Sequence, residues 1–222
     1  MTPGAAAERA ALSHGRSDPR LHAWVATLLT QAGAGGTLLD VGCGAGGLSR
    51  SVSGRFQRYL GCDLVAYDGF PRDGATFVKA DLDHPPYPLE DGAAETVVSV
   101  ETIEHLENPR AFVRALVRAA RPGGWVIVTT PNQLSLLSRA TLVARGEHNA
   151  FRDASYPAHI TALLEVDLRR IAAECGLEEV SVEFSHSGRV AGSGRHYPGW
   201  LSRLWPRGLS DNLLLAGRKP RG

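Results

Sequence analysis

The 222-residue chain is predicted to be an α/β protein with a doubly wound, seven-stranded and mostly parallel sheet. Apolar, strand-like segments alternate with helix-like segments, as parallel strands joined by right-handed crossovers require. A cluster of glycines follows the first strand directly, in the stretch TLLDVGCGAGGL. The last two strands are joined by a long glycine-rich connection, which predicts that one strand is inserted antiparallel.

The composition fits a single globular domain and excludes several classes of partner. Hydrophobic residues make up 43% of the chain, charged residues 21%, and the net charge is +1. Neither nucleic acid nor a membrane is an expected partner, because a near-neutral chain has little overall attraction to either. The three cysteines are widely spaced and suggest neither a metal site nor a disulfide framework. Without a signal-peptide pattern, the chain is expected to be cytoplasmic, as a monomer or homodimer.

Seven segments have the apolar character of buried strands. They are Thr37–Val41, Tyr59–Cys62, Ala75–Lys79, Thr96–Val100, Trp125–Thr130, Val180–Phe184 and Asn212–Ala216. Aspartate or asparagine followed by proline is typical of a helix start. Helices are expected from Asp18-Pro19 to Gly33, over Gly46–Phe56, from Asn108-Pro109 to the Arg-Pro-Gly-Gly segment at 121–124, and over Leu168–Cys175.

Three segments are expected outside these elements. Residues 1–17 are small and polar, which predicts a disordered tail ahead of a single domain at 18–222. Residues 133–159 read as a long irregular insertion, which is more often functional than idle in a compact domain, and we interpret it as a lid. Residues 186–209 form a glycine-rich loop that we interpret as a further wall of the site.

The glycine loop satisfies two patterns at once. Gly42, Gly44 and Gly47 form G-x-G-x-x-G, which alone is weak support for a dinucleotide. Asp40 and the first two of these glycines form D-x-G-x-G. Because an acid there would repel a pyrophosphate, this pattern favours an amino-acid-like ligand with an ammonium or sulfonium group. Such ligands bind at the carboxyl ends of parallel strands, where loop N–H groups can be presented to them.

Acids end each of the first three predicted strands: Asp40, Asp63 and Asp81. A carboxylate after the second strand can accept two hydrogen bonds from ribose hydroxyls, and the third acid can accept one from an adenine amino group. Plainer interpretations stay open. Asp63 and Asp81 could be strand-end caps, and Asp40 could be a structural acid bonding loop N–H groups.

Five segments taken together resemble the successive motifs of class I S-adenosylmethionine-dependent methyltransferases of the small-molecule, UbiG-like type. They are LLDVGCGAGGLS, YLGCDLV, FVKADL, ETVVSVETIEHLENPRAF and ARPGGWVIVTTPN. The match covers roughly residues 38 to 132. The resemblance implies a Rossmann-like sheet of order 3-2-1-4-5-7-6 with the last strand antiparallel, and S-adenosyl-L-methionine as cofactor. It implies cofactor contacts for Asp40, Gly42, Cys43, Gly44, Asp63, Leu64, Asp81, Leu82, Val100 and Glu101.

The resemblance implies that these residues contact different parts of the cofactor. It places the first two glycines along the methionyl part, Asp63 on the ribose, Leu64 on the adenine face and Asp81 at the adenine edge. Val100 and Glu101 would border the methyl-transfer centre. The segment after Asp63 is shorter than in many relatives, which puts the shape of one wall of the adenine pocket in doubt.

The segment VETIEHLENP carries the catalytic candidates. Glu101, Glu104 and His105 are spaced i, i+3, i+4, so a helix would place them on one face. Three interpretations stay open. His105 or Glu104 could be a general base, the set could fix the loop by packing, or it could bind a metal ion. The last reading rests on a resemblance to the acid-acid-His motif of small-RNA 2′-O-methyltransferases, with His148 or His159 as a further ligand.

His159 is a third catalytic candidate, because a histidine near this point faces the active site in many small-molecule relatives; a helix-start or core role is the alternative. No metal ion is assigned. The aromatic and apolar residues of the 186–209 loop could wall an acceptor pocket, form a dimer contact or cover the core. They are Tyr197, Trp200, Leu201 and Trp205.

The sequence therefore predicts an enzyme that transfers a methyl group from S-adenosylmethionine to a small-molecule acceptor. Oxygen is the expected acceptor atom, in a medium-sized, partly hydrophobic natural-product or glycan intermediate. The alternatives are a metal-assisted RNA 2′-O-methyltransferase, a non-catalytic nucleotide-binding Rossmann module, and a nicotinamide-dependent oxidoreductase. The oxidoreductase lacks support, because the Y-x-x-x-K pair usual in such enzymes is absent: no tyrosine is followed four residues later by lysine.

Overall fold

A single sheet contains all the strands of the computed structural model, which describes residues 3–222. The strands are β1 Thr37–Val41, β2 Arg58–Asp63, β3 Ala75–Lys79, β4 Ala94–Ser99, β5 Ala120–Pro131, β6 Glu178–Phe184 and β7 Asn212–Arg218. Their order is β3-β2-β1-β4-β5-β7-β6. The first five pair in parallel, whereas β7 is antiparallel to both of its neighbours. The predicted order and the single inserted antiparallel strand are confirmed.

Helices and short 3₁₀ turns connect the strands. The helices are α1 Pro3–Ser13, α2 Pro19–Gln31, α3 Gly47–Ser51, α4 Pro109–Ala119, α5 Leu136–Arg145, α6 Glu165–Glu174 and α7 Gly199–Leu204. Two predicted caps form: Asp18 accepts from the N–H of Arg20 at 2.8 Å, and Asn108 accepts from the N–H of Ala111 at 2.9 Å. Both satisfy donors that a helix start leaves unpaired. No described helix is both long and apolar enough to cross a bilayer.

Two apolar layers pack on opposite faces of the sheet. On one face Leu39 and Val97 lie in the same cluster as Phe112 of α4 and Ile171 of α6. On the other face Leu38, the neighbour of Leu39 along β1, lies in the same cluster as α2 and α3. Adjacent strand residues alternate between faces, so β1 is buried on both sides. Burial of each large apolar side chain contributes about 1.5–3 kcal/mol, and this packing holds the carboxyl ends of the strands in place.

The N-terminal segment differs from the sequence prediction. Residues 1–17 were expected to be disordered, but Pro3–Ser13 form α1, while Met1 and Thr2 lie outside the described residues. Arg9 of this helix is 6% exposed and forms an ion pair with Asp83, and the hydroxyl of Tyr67 donates to the carbonyl of Ala10 at 2.7 Å. The sequence AAAERAAL consists of strong helix formers, which outweighs its small-residue composition.

Four further features differ from the prediction. α3 ends at Ser51 rather than Phe56, and Gly54 beyond it has φ +75, which a helix cannot continue through. The predicted C-terminal end of α4 at residues 121–124 belongs instead to β5, because Gly123 donates to the carbonyl of Lys219 at 2.8 Å beside β7. The insertion at 133–159 contains α5 and two 3₁₀ turns, and the acid-acid-His segment forms a 3₁₀ turn at Ile103–His105.

Candidate active site

A cavity of about 500 Å³ lies at the carboxyl ends of the parallel strands, within the size range of small-molecule sites. We call it the first cavity. All the cofactor-binding and catalytic candidates from the sequence line it: Asp40, Gly42, Cys43, Gly44, Asp63, Leu64, Asp81, Leu82, Val100, Glu101, Glu104, His105 and His159. The fold thus brings the cofactor candidates and the catalytic candidates to one place, and their individual roles stay predictions.

The glycine loop is fixed by its own main chain and lies close to its neighbours. Gly42 has φ +80, and a Cβ atom there would lie 2.1 Å from Oγ1 of Thr102. Gly44 has φ +50, and its Cβ would lie 2.3 Å from the carbonyl oxygen of Gly15. Glycine is required at both positions, because a side chain would meet both a strained φ and an occupied space.

The loop N–H groups bond to the protein and are not presented to the cavity as expected. Gly42 and Cys43 donate to the carbonyl of Cys62 at 2.7 and 3.2 Å. Gly44 donates to Oδ2 of Asp63 at 2.8 Å, and Ala45 donates to the carbonyl of Gly15 at 2.9 Å. A ligand would therefore lie against main chain without side chains, and these N–H groups would not be free to donate hydrogen bonds to it.

Asp63 combines a structural role with spare acceptor capacity. Oδ2 accepts from Gly44, and Oδ1 accepts from the N–H groups of Leu64 at 2.7 Å and Val65 at 3.5 Å. Burial raises the pKa of Asp63, while these main-chain donors oppose that rise. An ionised carboxylate has about four acceptor positions, so one remains for a hydroxyl donor of a ligand. The strand-end cap and the ribose-binding interpretation are compatible here.

Asp40 is the most deeply buried acid of the loop region, with 2% exposure. Tyr59 donates its hydroxyl to Oδ2, whereas Oδ1 has no hydrogen-bond partner among the described residues. Burial raises the pKa of Asp40 to about 7, the Tyr59 hydrogen bond lowers it, and the charge of Asp63 raises it. The hydrogen bonds that the loop N–H groups make go to the carbonyls of Cys62, Gly15 and Cys43 and to the Asp63 carboxylate, so the interpretation of Asp40 as their acceptor is not supported.

Asp81 stabilises its own turn beside the cavity. Its Oδ1 accepts from the N–H of Asp83 at 3.1 Å, and its Oδ2 lies 3.0 Å from Nδ1 of His84. Leu82 is buried and also lines the first cavity. The capping interpretation of Asp81 therefore has direct support, and an adenine contact stays a prediction.

Glu101 follows β4 in a strained conformation with φ +50. Its N–H donates to Oγ1 of Thr129 at 3.0 Å, and Nδ2 of Asn212 donates to its Oε2 at 2.9 Å. Burial raises the pKa of Glu101 to about 7, and the bonds from Asn212 and Thr129 oppose that rise. Because such conformations persist only where surrounding contacts enforce them, the ends of β5 and β7 aim this carboxylate.

Glu104, His105 and His159 form a cluster whose possible metal-ligand atoms all lie within 4.8 Å of one another. Glu104 is fully buried, with Oγ1 of Thr130 donating to its Oε2 at 3.3 Å and no described partner for Oε1. Burial, followed by the charge of Glu101, raises the pKa of Glu104 well above its usual range. Its main-chain carbonyl accepts from Ile160 and Thr161, both at 3.0 Å, which supports the packing role.

The two histidine rings are oriented in the same way. Nδ1 of His105 lies 2.7 Å from the carbonyl oxygen of Ala158, and Nδ1 of His159 lies 2.7 Å from that of Ala150. A carbonyl only accepts, so each Nδ1 carries hydrogen and Nε2 is the basic nitrogen of the neutral ring. Burial, with His159 adding to it, lowers the pKa of His105 to about 4, and burial lowers that of His159. Both rings are therefore neutral at pH 7.

A second cavity of about 500 Å³ adjoins the first. The residues that line both are Asp18, Leu21, Glu101, Ser155, His159 and Asn212. The predicted lid and the 186–209 loop both contribute to the second cavity, the loop through Ser187, Arg189 and His196. The loop's aromatic and apolar residues named above line neither cavity, and Trp200 is 65% exposed.

The N-terminal segment is the part of the site that sequence reasoning missed. Ala6, Arg9, Ala10 and Gly15 line the first cavity, and Gly15 also accepts from the glycine loop. The helix-forming composition of residues 5–12 was the available signal. Its contact with the cavity depends on the Arg9–Asp83 pair, which is separated by too much sequence to be read from a pattern.

Comparisons with known proteins agree with this arrangement. A family model described as a methyltransferase domain matches residues 13–182, which is most of the chain. A ubiquinone biosynthesis O-methyltransferase from Xanthomonas oryzae pv. oryzae is 32% identical over 169 residues, covering 67% of this chain and 66% of the relative. The chain therefore spans slightly less than two thirds of that relative's length. A chloroplastic tocopherol O-methyltransferase from Arabidopsis thaliana is 35% identical over 105 residues, covering 42% of this chain and 29% of that protein.

Solved structures show the same fold at low identity. A SAM-dependent methyltransferase from Archaeoglobus fulgidus superposes with a TM-score of 0.62 and 17% identity, covering 88% of this chain and 93% of that one. A [4+2]-cyclase gives a TM-score of 0.58 and 18% identity, covering 89% and 80%, so the fold by itself does not fix the reaction. The family model and the relatives go further than the fold: this chain belongs to the S-adenosylmethionine-dependent methyltransferase family.

Proposed function

We propose that the chain transfers a methyl group from S-adenosylmethionine to an oxygen atom of a small-molecule acceptor. The observation that carries the proposal is the meeting of Asp40, Asp63 and the glycine loop at one cavity beside Glu101 and His159. An unpartnered buried carboxylate oxygen suits an ammonium group, and a carboxylate with a spare acceptor position suits a ribose hydroxyl. The relatives named above are O-methyltransferases, which supports oxygen as the acceptor atom.

The cofactor fits the residues present. Asp40 would hold the ammonium, Asp63 a ribose hydroxyl, and Leu64 with Leu82 the adenine faces. Bound S-adenosylmethionine supplies a methyl group on a sulfonium, which the acceptor oxygen takes with release of S-adenosylhomocysteine. The protein's own contribution is to align the acceptor, exclude water and remove the hydroxyl proton.

His159 is the best-placed base among the three candidates. It lines both cavities, whereas Glu104 and His105 line only the first. The hydrogen bond from its Nδ1 to Ala150 leaves Nε2 to accept the acceptor proton. Glu104 and His105 then serve to position the segment that follows β4, in line with their main-chain and side-chain bonds. The acceptor is a natural-product or glycan intermediate in this proposal.

One observation favours a second candidate, in which a divalent cation assists the transfer. Glu104, His105 and His159 together offer one carboxylate oxygen and two imidazole nitrogens, a set that suits Zn²⁺, Mn²⁺ or Fe²⁺. Each ring donates its Nδ1–H to a main-chain carbonyl, the arrangement that orients metal-binding imidazoles. A bound cation would supply Lewis-acid activation of an acceptor hydroxyl, including the ribose 2′-hydroxyl of an RNA.

Methyl transfer from deuterated-methyl S-adenosylmethionine tests the proposed function. The purified protein is incubated with a panel of hydroxylated small molecules and, separately, with total small RNA, and products are analysed by mass spectrometry. We expect the labelled methyl on an oxygen of a small molecule. Labelled RNA alone would favour the second candidate, and cofactor binding without transfer to any acceptor would favour a non-catalytic binding module.

A further inference from the structure

The second cavity is lined mainly by polar side chains. Leu21, Trp24, Pro131 and Ala150 are its apolar residues, and serine, carboxamide and charged groups supply the rest. An oily acceptor would leave those polar groups without partners, which costs free energy, whereas a hydroxylated acceptor would bond to them. The cavity therefore suits an acceptor that carries several polar groups, with any apolar part lying against these four residues.

The carboxylates around the second cavity already have partners. Asp211 forms an ion pair with Arg189, whose Nε lies 2.6 Å from its Oδ2. Glu101 accepts from Thr129 and Asn212, and Asp18 caps α2. Among the described residues, none of these three acids forms an ion pair with the other two arginines that line the cavity, Arg20 and Arg152.

Arg152 and Arg20 are the remaining guanidinium groups of the cavity. Within residues 3–222, no carboxylate lies at ion-pair distance from either. Arg152 is partly buried, and its Nε donates to the carbonyl of Asn149 at 3.1 Å. That bond fixes the plane of the guanidinium and leaves the two terminal nitrogens to bind a ligand. The two terminal nitrogens of a planar guanidinium can donate paired hydrogen bonds to two oxygens of a carboxylate or a phosphate.

We propose that the second cavity holds the methyl acceptor and that Arg152 binds an anionic group of it, so that the acceptor is a small hydroxylated carboxylate or phosphate monoester. The inference rests on the proposed function, because it needs the cofactor in the first cavity. The six residues shared by the cavities, His159 and Glu101 among them, then surround the point at which the acceptor oxygen meets the methyl group.

Matched ligand sets test the charge requirement. On a sugar scaffold the probes are glucuronate, glucose 6-phosphate and neutral glucose; on an aromatic scaffold they are 3,4-dihydroxybenzoate and 3,4-dihydroxybenzamide. Binding to the protein loaded with S-adenosylhomocysteine is measured by saturation-transfer NMR and titration. We expect the anionic member of at least one scaffold to bind roughly tenfold tighter than its neutral partner, the size of one charge-assisted contact. The carboxylate and phosphate arms show which anion is preferred.

Two variants decide whether Arg152 carries the preference. Arg152→Gln should abolish it while leaving the affinity for S-adenosylhomocysteine unchanged. Arg203→Gln is the matched control, because Arg203 is exposed and lines neither cavity. Equal binding of charged and neutral partners, no binding by any probe up to its solubility, or a preference that persists in Arg152→Gln would each overturn the inference. Failure of the proposed function is separate, since it would appear in the wild type as absent binding of S-adenosylhomocysteine or as absent methyl transfer to any small molecule.

Discussion

The hydroxyl of Tyr59 donates a hydrogen bond to Oδ2 of Asp40, while Oδ1 of the same buried carboxylate has no partner within the described chain. Leaving a buried acceptor unpaired costs roughly 1–3 kcal/mol. A cationic ligand would remove that cost by pairing with Oδ1, so this geometry links the acid of the first strand to the proposed cofactor.

The affinity for S-adenosylhomocysteine should depend on pH through Asp40. Burial raises the pKa of Asp40 in the free protein to about 7, so its carboxyl is mostly protonated below that pH and must lose a proton to pair with an ammonium. We expect the affinity to fall by up to about tenfold per pH unit below about pH 7. In Asp40→Asn the affinity should be weak and nearly independent of pH. Calorimetry from pH 5 to pH 8 measures both, and a flat wild-type profile would count against the pairing.

Substitution of Gly42 should damage the loop. A methyl group at this position would lie 2.1 Å from Oγ1 of Thr102 on a backbone with φ +80. We expect Gly42→Ala to lose about 1–3 kcal/mol of stability and to bind S-adenosylhomocysteine more weakly. Gly35→Ala is the control, because no atom lies within 4 Å of its added Cβ. Urea unfolding and calorimetry measure the two effects, and matching results for both variants would refute the close packing of this loop.

Replacing His159 should slow methyl transfer without weakening cofactor binding. If His159 is the base, His159→Gln should lower kcat by about 10²–10⁴-fold, with the affinity for S-adenosylhomocysteine unchanged. Because burial lowers the pKa of His159, the wild-type kcat, measured with saturating cofactor at each pH, should fall only as the pH drops below the usual range of histidine, near 6.5. His105→Gln serves as the comparison. A larger loss of kcat there, with folding intact, would transfer the role to His105.

The Glu104–His105–His159 cluster predicts a measurable response if it binds a metal ion. Thermal unfolding is followed with Mn²⁺ and with Zn²⁺ at equal concentration, after treatment with a chelator. Stabilisation of the wild type that is absent in Glu104→Gln would support the cation-assisted candidate, because binding to the native state raises the melting temperature. Equal melting curves with and without the ions would leave base catalysis without a metal as the supported mechanism.

The sheet and its binding edge could be predicted from sequence because local signals determine them. Apolar runs such as Thr37–Val41 mark buried strands, and the glycines and acids at their ends mark the loops that follow. The proline-containing helix starts at Asp18 and Asn108 were predictable for the same reason, since a cap needs only neighbouring residues. These signals sufficed to bring the cofactor-binding and catalytic candidates to one cavity, but not the proposed acceptor wall of the 186–209 loop.

Features that depend on contacts between distant segments could not be predicted. The N-terminal helix contacts the cavity through Arg9 and Asp83, and Tyr59 reaches Asp40 across neighbouring strands. The extension of β5 through the Pro-Gly-Gly segment depends on Lys219, almost at the other end of the chain. The second cavity combines side chains from residues 133–159, the 186–209 loop and α2, so its polarity emerges only when these are brought together.

Calorimetric titration with S-adenosylhomocysteine tests the central claim most directly, which is that the glycine loop and the acids around it bind the adenosyl cofactor. We predict binding to the wild type, a roughly 10–100-fold loss in Asp63→Ala from the lost charge-assisted bonds, and no change in Asp73→Ala, whose exposed carboxylate lines neither cavity. Circular dichroism confirms that each variant is folded. No binding heat from folded wild-type protein, or equal affinity in Asp63→Ala, would contradict the claim.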